Sequence, residues 1–281
     1  MEANKILRSL DADKTNIQQF CHETNNFANF LFNNGLDSLA RLMFKEVSKL
    51  HVFKSEYQRL VLPVEKQLDS KDLIFDLEND VGLSTYDEEI QELTEFLPKL
   101  KEEALKAAEN VTKENWYKRV YVNMAQGNYV VKGGGNFSVL PLFTYGKRRH
   151  ANCKELMPET CQFMKKNFDR PTKLHIGTVK LTVLDPKTKT LPLEGVTDMR
   201  VRLIVPLQIP TGFKIVLRQD TEVPLDKMVV IDDSYEKVFD NQEGKEAAIW
   251  LSIDLAHPEI SAEELKNLSI TPYAKNFFLM F

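Results

Sequence analysis

The chain has 281 residues, 43% hydrophobic and 28% charged, a composition that excludes collagen-like, disordered and disulfide-scaffold classes. At a typical 150 residues per domain this is about 1.9 domains' worth, enough for one large domain with a smaller appendage and a core that needs no staples. The net charge of −4 carries no basic stripe, which argues against nucleic acid as a partner, and nothing runs apolar for the roughly 18 residues that a membrane span needs.

The opening Met1-Glu2-Ala3-Asn4-Lys5 has neither the basic nor the apolar region of a secretory signal, so a cytoplasmic address is expected. From Asn16 to about Leu50 the pattern is helical. Ile17, Phe20, Phe27, Phe30 and Leu31 recur up to the stop Asn33-Asn34-Gly35, and Leu39, Leu42, Met43, Val47 and Leu50 form a second stripe. Two helices so joined make an αα-hairpin that must dock on something larger. A single tetratricopeptide-like pair is too little for a repeat array.

A long helix is predicted from Asp87 to Asn110. Thr85-x-x-Glu88 spells a capping box at its start, and Ile90, Leu93, Leu97, Leu100, Ala104 and Leu105 share one face. Pro98 is expected to bend it. After about Gly127 the texture changes to short β-branched and aromatic runs separated by Gly, Pro, Asn and Asp. Predicted strands are Asn128 to Lys132, Asn136 to Tyr145, Thr178 to Leu184, Met199 to Ile209, Phe213 to Arg218, Lys227 to Ile231, Tyr235 to Phe239 and Ala247 to Leu255, with a helical interruption at Pro158 to Lys166. That set is enough to close a double-stranded β-helix of the jelly-roll, cupin-like kind. The expected class is therefore α+β, with a helical region over 1–115 and the double-stranded β-helix over 116–281. Gly133-Gly134-Gly135 is followed by no helix, which argues against a phosphate loop and for a flexible hairpin turn.

The three cysteines, Cys21, Cys153 and Cys161, show no Cys-x-x-Cys spacing. Cys153 and Cys161 flank a Pro-containing segment and can pair in an oxidising compartment; in cytosol they are expected as thiols.

Val229-Val230-Ile231-Asp232-Asp233-Ser234-Tyr235-Glu236 and Ile253-Asp254-Leu255-Ala256-His257-Pro258-Glu259-Ile260 resemble the closing strands of the aspartyl/asparaginyl β-hydroxylases. The likeness extends upstream to Arg200-Val201-Arg202, to Val179-Lys180-Leu181-Thr182-Val183-Leu184-Asp185-Pro186, to Asn152-Cys153 with Pro158-Glu159-Thr160-Cys161, and to Val52-Phe53-Lys54-Ser55-Glu56-Tyr57-Gln58-Arg59. The resemblance implies a double-stranded β-helix in which Fe(II) and 2-oxoglutarate drive hydroxylation of Asp or Asn side chains. It implies imidazole and carboxylate or water ligands on the iron and an arginine fork on the cosubstrate carboxylate.

Carried across by position, the resemblance puts the two metal histidines at Ile204 and Lys237. Isoleucine cannot ligate iron, and an ammonium repels it. The histidine before the central strand corresponds to Leu193, the cosubstrate arginines to Val216 and Ala248, and the cosubstrate serine to Thr182. Arg218 lies close enough to Val216 for a small slip to restore one basic residue. No histidine occurs between Gly177 and Ala256, and His175 and His257 are read as capping or packing residues.

The reading that follows is a catalytically inactive relative, with no cofactor expected, acting as a binding protein. A small molecule would occupy the former cavity lined by Thr182, Leu193, Ile204, Val216, Lys237, Ala248 and Trp250, or a peptide the former substrate groove. Lys237 would either pair with a carboxylate or snorkel, or serve as a buried amine for a carbonyl or acidic ligand. One rival is an active oxygenase, using Fe(II) and 2-oxoglutarate, with ligands relocated to Asp185, Asp198 and His175. Asp232, Asp233 and Glu194 are further carboxylates for a rebuilt metal site, against the plainer expectation of solvated or capping loop residues. Another rival is a scaffold with a filled barrel. No membrane partner is expected, and oligomeric state is left open.

Overall fold

Along every long strand successive side chains enter two different buried environments, and this period of two builds the molecule. The computed structural model describes residues 14–50, 53, 55–58, 68, 72–77, 83–110, 117–118, 131–195, 197–218, 220–261 and 263–264. The helices are α1 (Lys14–Asn33), α2 (Asp37–Ser48), α3 (Asp87–Ala108), α4 (His150–Glu155), α5 (Pro158–Asn167) and α6 (Asp169–Lys173). The strands are β1 (Ile74–Phe75), β2 (Tyr117–Lys118), β3 (Val131–Gly133), β4 (Phe137–Thr144), β5 (Lys147–Arg148), β6 (Thr178–Leu184), β7 (Thr188–Thr190), β8 (Arg200–Gln208), β9 (Lys214–Leu217), β10 (Thr221–Glu222), β11 (Val229–Ile231), β12 (Lys237–Asn241) and β13 (Ala248–Ala256).

The larger sheet runs β1-β11-β8-β13-β6-β4-β2, with β5 beside β4, and the smaller runs β10-β9-β12-β7-β3. All pairings are antiparallel, and the connections between the two sheets give the double-stranded β-helix expected from the strand spacing. On the outer face of the larger sheet, Val201, Leu203, Val205, Ile249, Leu251, Ile253, Val179 and Leu181 pack beneath Leu93, Leu100 and Ala104 of α3 and Met164 of α5. Fully burying one such side chain stabilises the fold by about 1.5–3 kcal/mol. On the inner face, Phe137, Leu184, Ile204, Ala248 and Trp250 meet Ile215, Leu217 and Phe239 of the smaller sheet.

The hairpin α1–α2 turns at Gly35, whose φ of +73° suits a residue without Cβ. It buries Ala28, Leu31, Phe32, Ala40 and Phe44 against Phe53 and Leu191 of the barrel side. The helix predicted from Asp87 is present with Pro98 inside it, but its N-cap is Tyr86, with no side-chain cap hydrogen bond. A 3₁₀ turn at Ser84–Tyr86 leads into it instead of the capping box, and Asp87, Glu88 and Glu89 complement the helix dipole.

Two expectations are corrected. Gly133-Gly134-Gly135 is no hairpin turn, because β3 and β4 belong to different sheets. A Cβ on Gly133 would collide with the Lys187 carbonyl, and one on Gly135 with Thr188 Oγ1 and Asp185 Cβ, so the glycines serve a close crossing between sheets. Cys153 and Cys161 are not thiols but a disulfide, with Cα atoms 5.6 Å apart. Ile74 and Phe75, from the part of the chain before 115, pair with Ile231 and Val230 in the larger sheet. Positions 128–130 of the first predicted strand lie outside the described residues, as does the side chain of Cys21. No helix among the described residues is long and apolar enough to cross a membrane.

Candidate functional site

The inward positions of the larger sheet change character halfway along the strands. On β8 the step from Ile204 to Arg202 and Arg200 passes from apolar to charged, on β13 that from Trp250 to Asp254, and on β6 that from Leu184 through Thr182 to Lys180. The registers Asp254↔Arg202, Ser252↔Ile204 and Ser252↔Lys180 bring these steps level. From the smaller sheet β12 contributes Lys237, and the loop before it Asp232 and Asp233, all buried.

The charged half is a continuous ion-pair cluster. Arg200 spans two carboxylates, its Nη2 2.9 Å from Asp233 Oδ2 and its Nη1 2.7 Å from Asp254 Oδ2. Arg202 Nε donates to Asp254 Oδ1 at 2.8 Å, and its Nη1 pairs with Asp233 Oδ1. Lys237 Nζ lies 2.8 Å from Asp233 Oδ1 and donates to the Asp233 carbonyl, also at 2.8 Å. Thr178 donates to Asp254 Oδ2 from both its amide and its hydroxyl.

Burial disfavours every one of these charges, and the neighbours decide which shift wins. Burial pushes the Asp233 carboxyl up, but Arg202, Lys237, Arg200 and Lys180 outweigh it and hold the group far below the usual carboxylate range. Asp254 is likewise lowered, Arg200 and Arg202 overcoming burial. Burial lowers the Lys237 ammonium, and the pairing with Asp233 only partly opposes this. Asp232 goes the other way. Burial raises it to about 6 despite two hydrogen bonds from Ser234, and Asp198 and Asp233 add to the rise.

The residues present do not fit an iron centre. Ile204 is wholly buried among apolar neighbours, and Lys237 places a cation at the other position to which the resemblance assigns a ligand. The carboxylates of Asp233 and Asp254 are taken up by guanidinium and ammonium groups. Among the described residues no group of three or more His, Cys, Asp and Glu is placed to hold a metal ion.

The relocated set is not assembled. His175 is exposed just before β6, whereas Asp185 follows the other end of that seven-residue strand, which spans about 20 Å at a strand's usual rise. Asp185 accepts from the amide and side chain of Asn136, while buried Asp198 neighbours Asp232. Asp232 and Asp233 are not the solvated loop carboxylates expected of a turn. His257 packs edge-on against Phe75, and its Nδ1 accepts from the Glu259 amide.

For the cosubstrate positions, Thr182 is buried in line with Lys180 and Leu184, and Ala248 offers no donor. Val216 does not line the interior. It is half-buried and paired with Val238, while Ile215 and Leu217 of the same strand point into the barrel. Arg218 has a φ of +55°, and its guanidinium lies over the rings of Tyr57 and Tyr235 at 5.9 and 5.1 Å, so a slip restores no fork inside. Leu193 belongs to the apolar half and bridges Lys237 through backbone hydrogen bonds in both directions.

Over the charged end sits the chain's own helical part. Arg41 of α2 grips Glu236 with two hydrogen bonds, at 2.7 and 2.5 Å. Gln58 donates to Ser234 Oγ, the Glu236 amide donates to the Tyr57 carbonyl at 2.8 Å, and Asn25 donates to Glu194. A separate polar groove of about 460 Å³ lies between α3 and α5, lined by Thr85, Glu88, Glu89, Lys166 and Arg170. None of the expected pocket residues borders it.

Sequence reasoning missed the cluster as a unit. Arg200, Arg202 and Asp254 carried the family resemblance but were assigned no role. The available signal was charge at alternate positions of strands otherwise apolar, two cations on one strand and a carboxylate on another, which buried strands tolerate only when paired.

Among solved structures, an oxidoreductase of the 2OG-Fe(II) oxygenase family from Burkholderia pseudomallei is 8% identical with a TM-score of 0.31, covering 57% of this chain and 94% of that one. A cupin-2 domain from Rhodospirillum rubrum is 12% identical with a TM-score of 0.29, covering 59% and 89%. The human aspartyl/asparaginyl beta-hydroxylase is 30% identical over 137 residues, and the mouse protein 29% over the same length. Each match takes in 48% of this chain, which spans only 18% of the length of either relative. The profile of the aspartyl/asparaginyl beta-hydroxylases matches residues 88–258, a stretch that runs from α3 to the end of β13 and takes in both sheets, and the chain therefore belongs to the aspartyl/asparaginyl β-hydroxylase family.

Proposed function

We propose that this family member does not carry out iron-dependent hydroxylation, takes up neither Fe(II) nor 2-oxoglutarate, and acts as a binding protein. The observation that carries the reading is the Lys237 ammonium bonded to Asp233 inside the barrel. It puts a positive charge and a saturated carboxylate where the resemblance requires a neutral imidazole. A peptide is the favoured ligand over a small molecule, because the former active-site end is filled by the side chains of Arg200, Arg202 and Lys237. The charged end, moreover, already receives a turn of the chain itself, whose Tyr57 carbonyl accepts from the Glu236 amide. The same filling supports a second reading, a scaffold with a closed barrel.

The test is turnover of 2-oxoglutarate by the purified chain with Fe(II) and a disulfide-rich acceptor peptide, followed as succinate release. No release above a metal-free control is expected, and stoichiometric succinate formation would contradict the proposal. Native mass spectrometry separates the two non-enzymatic readings, an organic adduct marking a binder and a bare mass a scaffold. The compartment is part of the proposal. Disulfides persist in oxidising surroundings, so the Cys153–Cys161 bond weighs against the cytoplasmic address, and a free-thiol count on protein from its native source decides the matter.

A further inference from the structure

The hairpin α1–α2 buries one side and keeps the other apolar as well. Ala28, Leu31, Phe32, Ala40 and Phe44 face the barrel side. Turned away from it, Phe27, Phe30, Leu39 and Leu42 are each between 48% and 54% exposed, with Leu36 beside them at the turn. The rings of Phe27 and Phe30 stack with centroids 6.3 Å apart. Five large apolar side chains, each about half exposed, present roughly 450 Å² to water, a patch of the size that marks an interaction surface.

The patch and its rim are matched to a second copy of the same hairpin. The two helices run antiparallel from the turn at Gly35, so height along the hairpin is counted from that turn. At a helical rise, Phe27 and Phe30 stand about 12 and 8 Å from it on α1, and Leu42 and Leu39 about 10 and 6 Å from it on α2. Beyond these apolar levels the helices carry opposite charge. Glu23 stands about 18 Å from the turn on α1, and Lys45 and Lys49 about 15 and 21 Å from it on α2, all three exposed. Lys49 holds Glu46 of its own helix at 2.6 Å, so Lys45 is the cation best placed for an incoming Glu23. A two-fold axis parallel to the helices lays α1 of one hairpin against α2 of the other, and the heights then agree. Phe27 and Phe30 meet Leu42 and Leu39 of the partner subunit, and Glu23 meets Lys45 of the partner subunit, each pair formed twice by symmetry. The product is an antiparallel four-helix bundle. Covering the patch on both copies removes roughly 900 Å² from water, which with the rim reaches the lower end of stable interfaces, about 1,200 Å².

We infer that the chain forms a two-fold dimer through the outer faces of its α1–α2 hairpins, with α1 of each copy packed on α2 of the other. Sedimentation equilibrium of the full chain at micromolar concentration is expected to give twice the chain mass of 32.4 kDa. Phe30→Glu combined with Leu39→Glu, both at half-exposed positions, is expected to weaken association at least about a hundredfold, the equivalent of losing two apolar side chains from the interface. Glu23→Lys alone is expected to weaken it about tenfold by setting like charges opposite one another, and adding Lys45→Glu to that variant is expected to restore it. A wild-type chain that stays monomeric would overturn the inference and assign the face to a different protein. So would a dimer that survives Phe30→Glu with Leu39→Glu, which would place the contact elsewhere, or a charge reversal that fails to restore association, which would reject the packing of α1 on α2.

Discussion

The two halves of the barrel interior are built by the same strands and differ in what holds them. In one half Phe137, Phe213 and Phe239 surround Trp250, with ring centroids 5.0 to 6.4 Å from it, and stability there is area removed from water. Two residues along β8 and four along β13, the other half holds Arg200, Arg202, Lys237, Asp233 and Asp254 with side chains at most 3% exposed. There each charge is tolerated only because its partners are present, so the apolar half degrades gradually under substitution and the charged half fails abruptly.

Asp254→Ala should show this most strongly. It takes one of two carboxylates from each of the buried guanidinium groups, leaving Arg200, Arg202 and Lys237 to share Asp233, and a loss of about 3–5 kcal/mol is expected from urea unfolding. Asp232→Asn sharpens the contrast through pH. Asp232 is raised from 3.8 to about 6 in the folded chain, so its contribution to stability is complete below pH 4 and is lost as pH rises through 6, a fall of about 3 kcal/mol. Replacing it with Asn should flatten the stability profile between pH 4 and 7. Asp233 and Asp254 are lowered instead, so their contributions are present above the unfolded value and fail at more acid pH. A variant profile as steep as the wild type's would place that slope elsewhere.

Ile204→Val, in the apolar half, should cost about 1 kcal/mol, with the transition otherwise unchanged. The smallest effect is expected from Lys237→Met, under about 1 kcal/mol, since Asp233 keeps both arginines and the buried amine is replaced by an apolar side chain of similar length. A cost of several kcal/mol in urea unfolding would show that the amine, rather than the arginines, holds the cluster together.

The sheets were legible because alternation is a strong local signal. Thr178–Leu184 falls where it was predicted, and β8 and β13 differ from prediction by one residue at each end. Strands of two or three residues, such as β1, β7 and β10, carry too little periodicity to be seen and exist only through their partners. The cluster was illegible for a related reason. Asp233 reads as a turn residue until the fold brings Arg200 and Arg202 to it from more than thirty residues away, contacts that no short window of sequence contains. Val216 shows the limit of positional carry-over, where one residue of register exchanges the inside of a barrel for the outside.

The most direct test of the central claim is anaerobic titration of the chain with Fe(II), with and without 2-oxoglutarate, read by native mass spectrometry. The account predicts no retained iron in the wild type, and retention only when Ile204→His and Lys237→His are introduced together. One iron per wild-type chain, strengthened by 2-oxoglutarate and lost on Asp233→Asn, would contradict it.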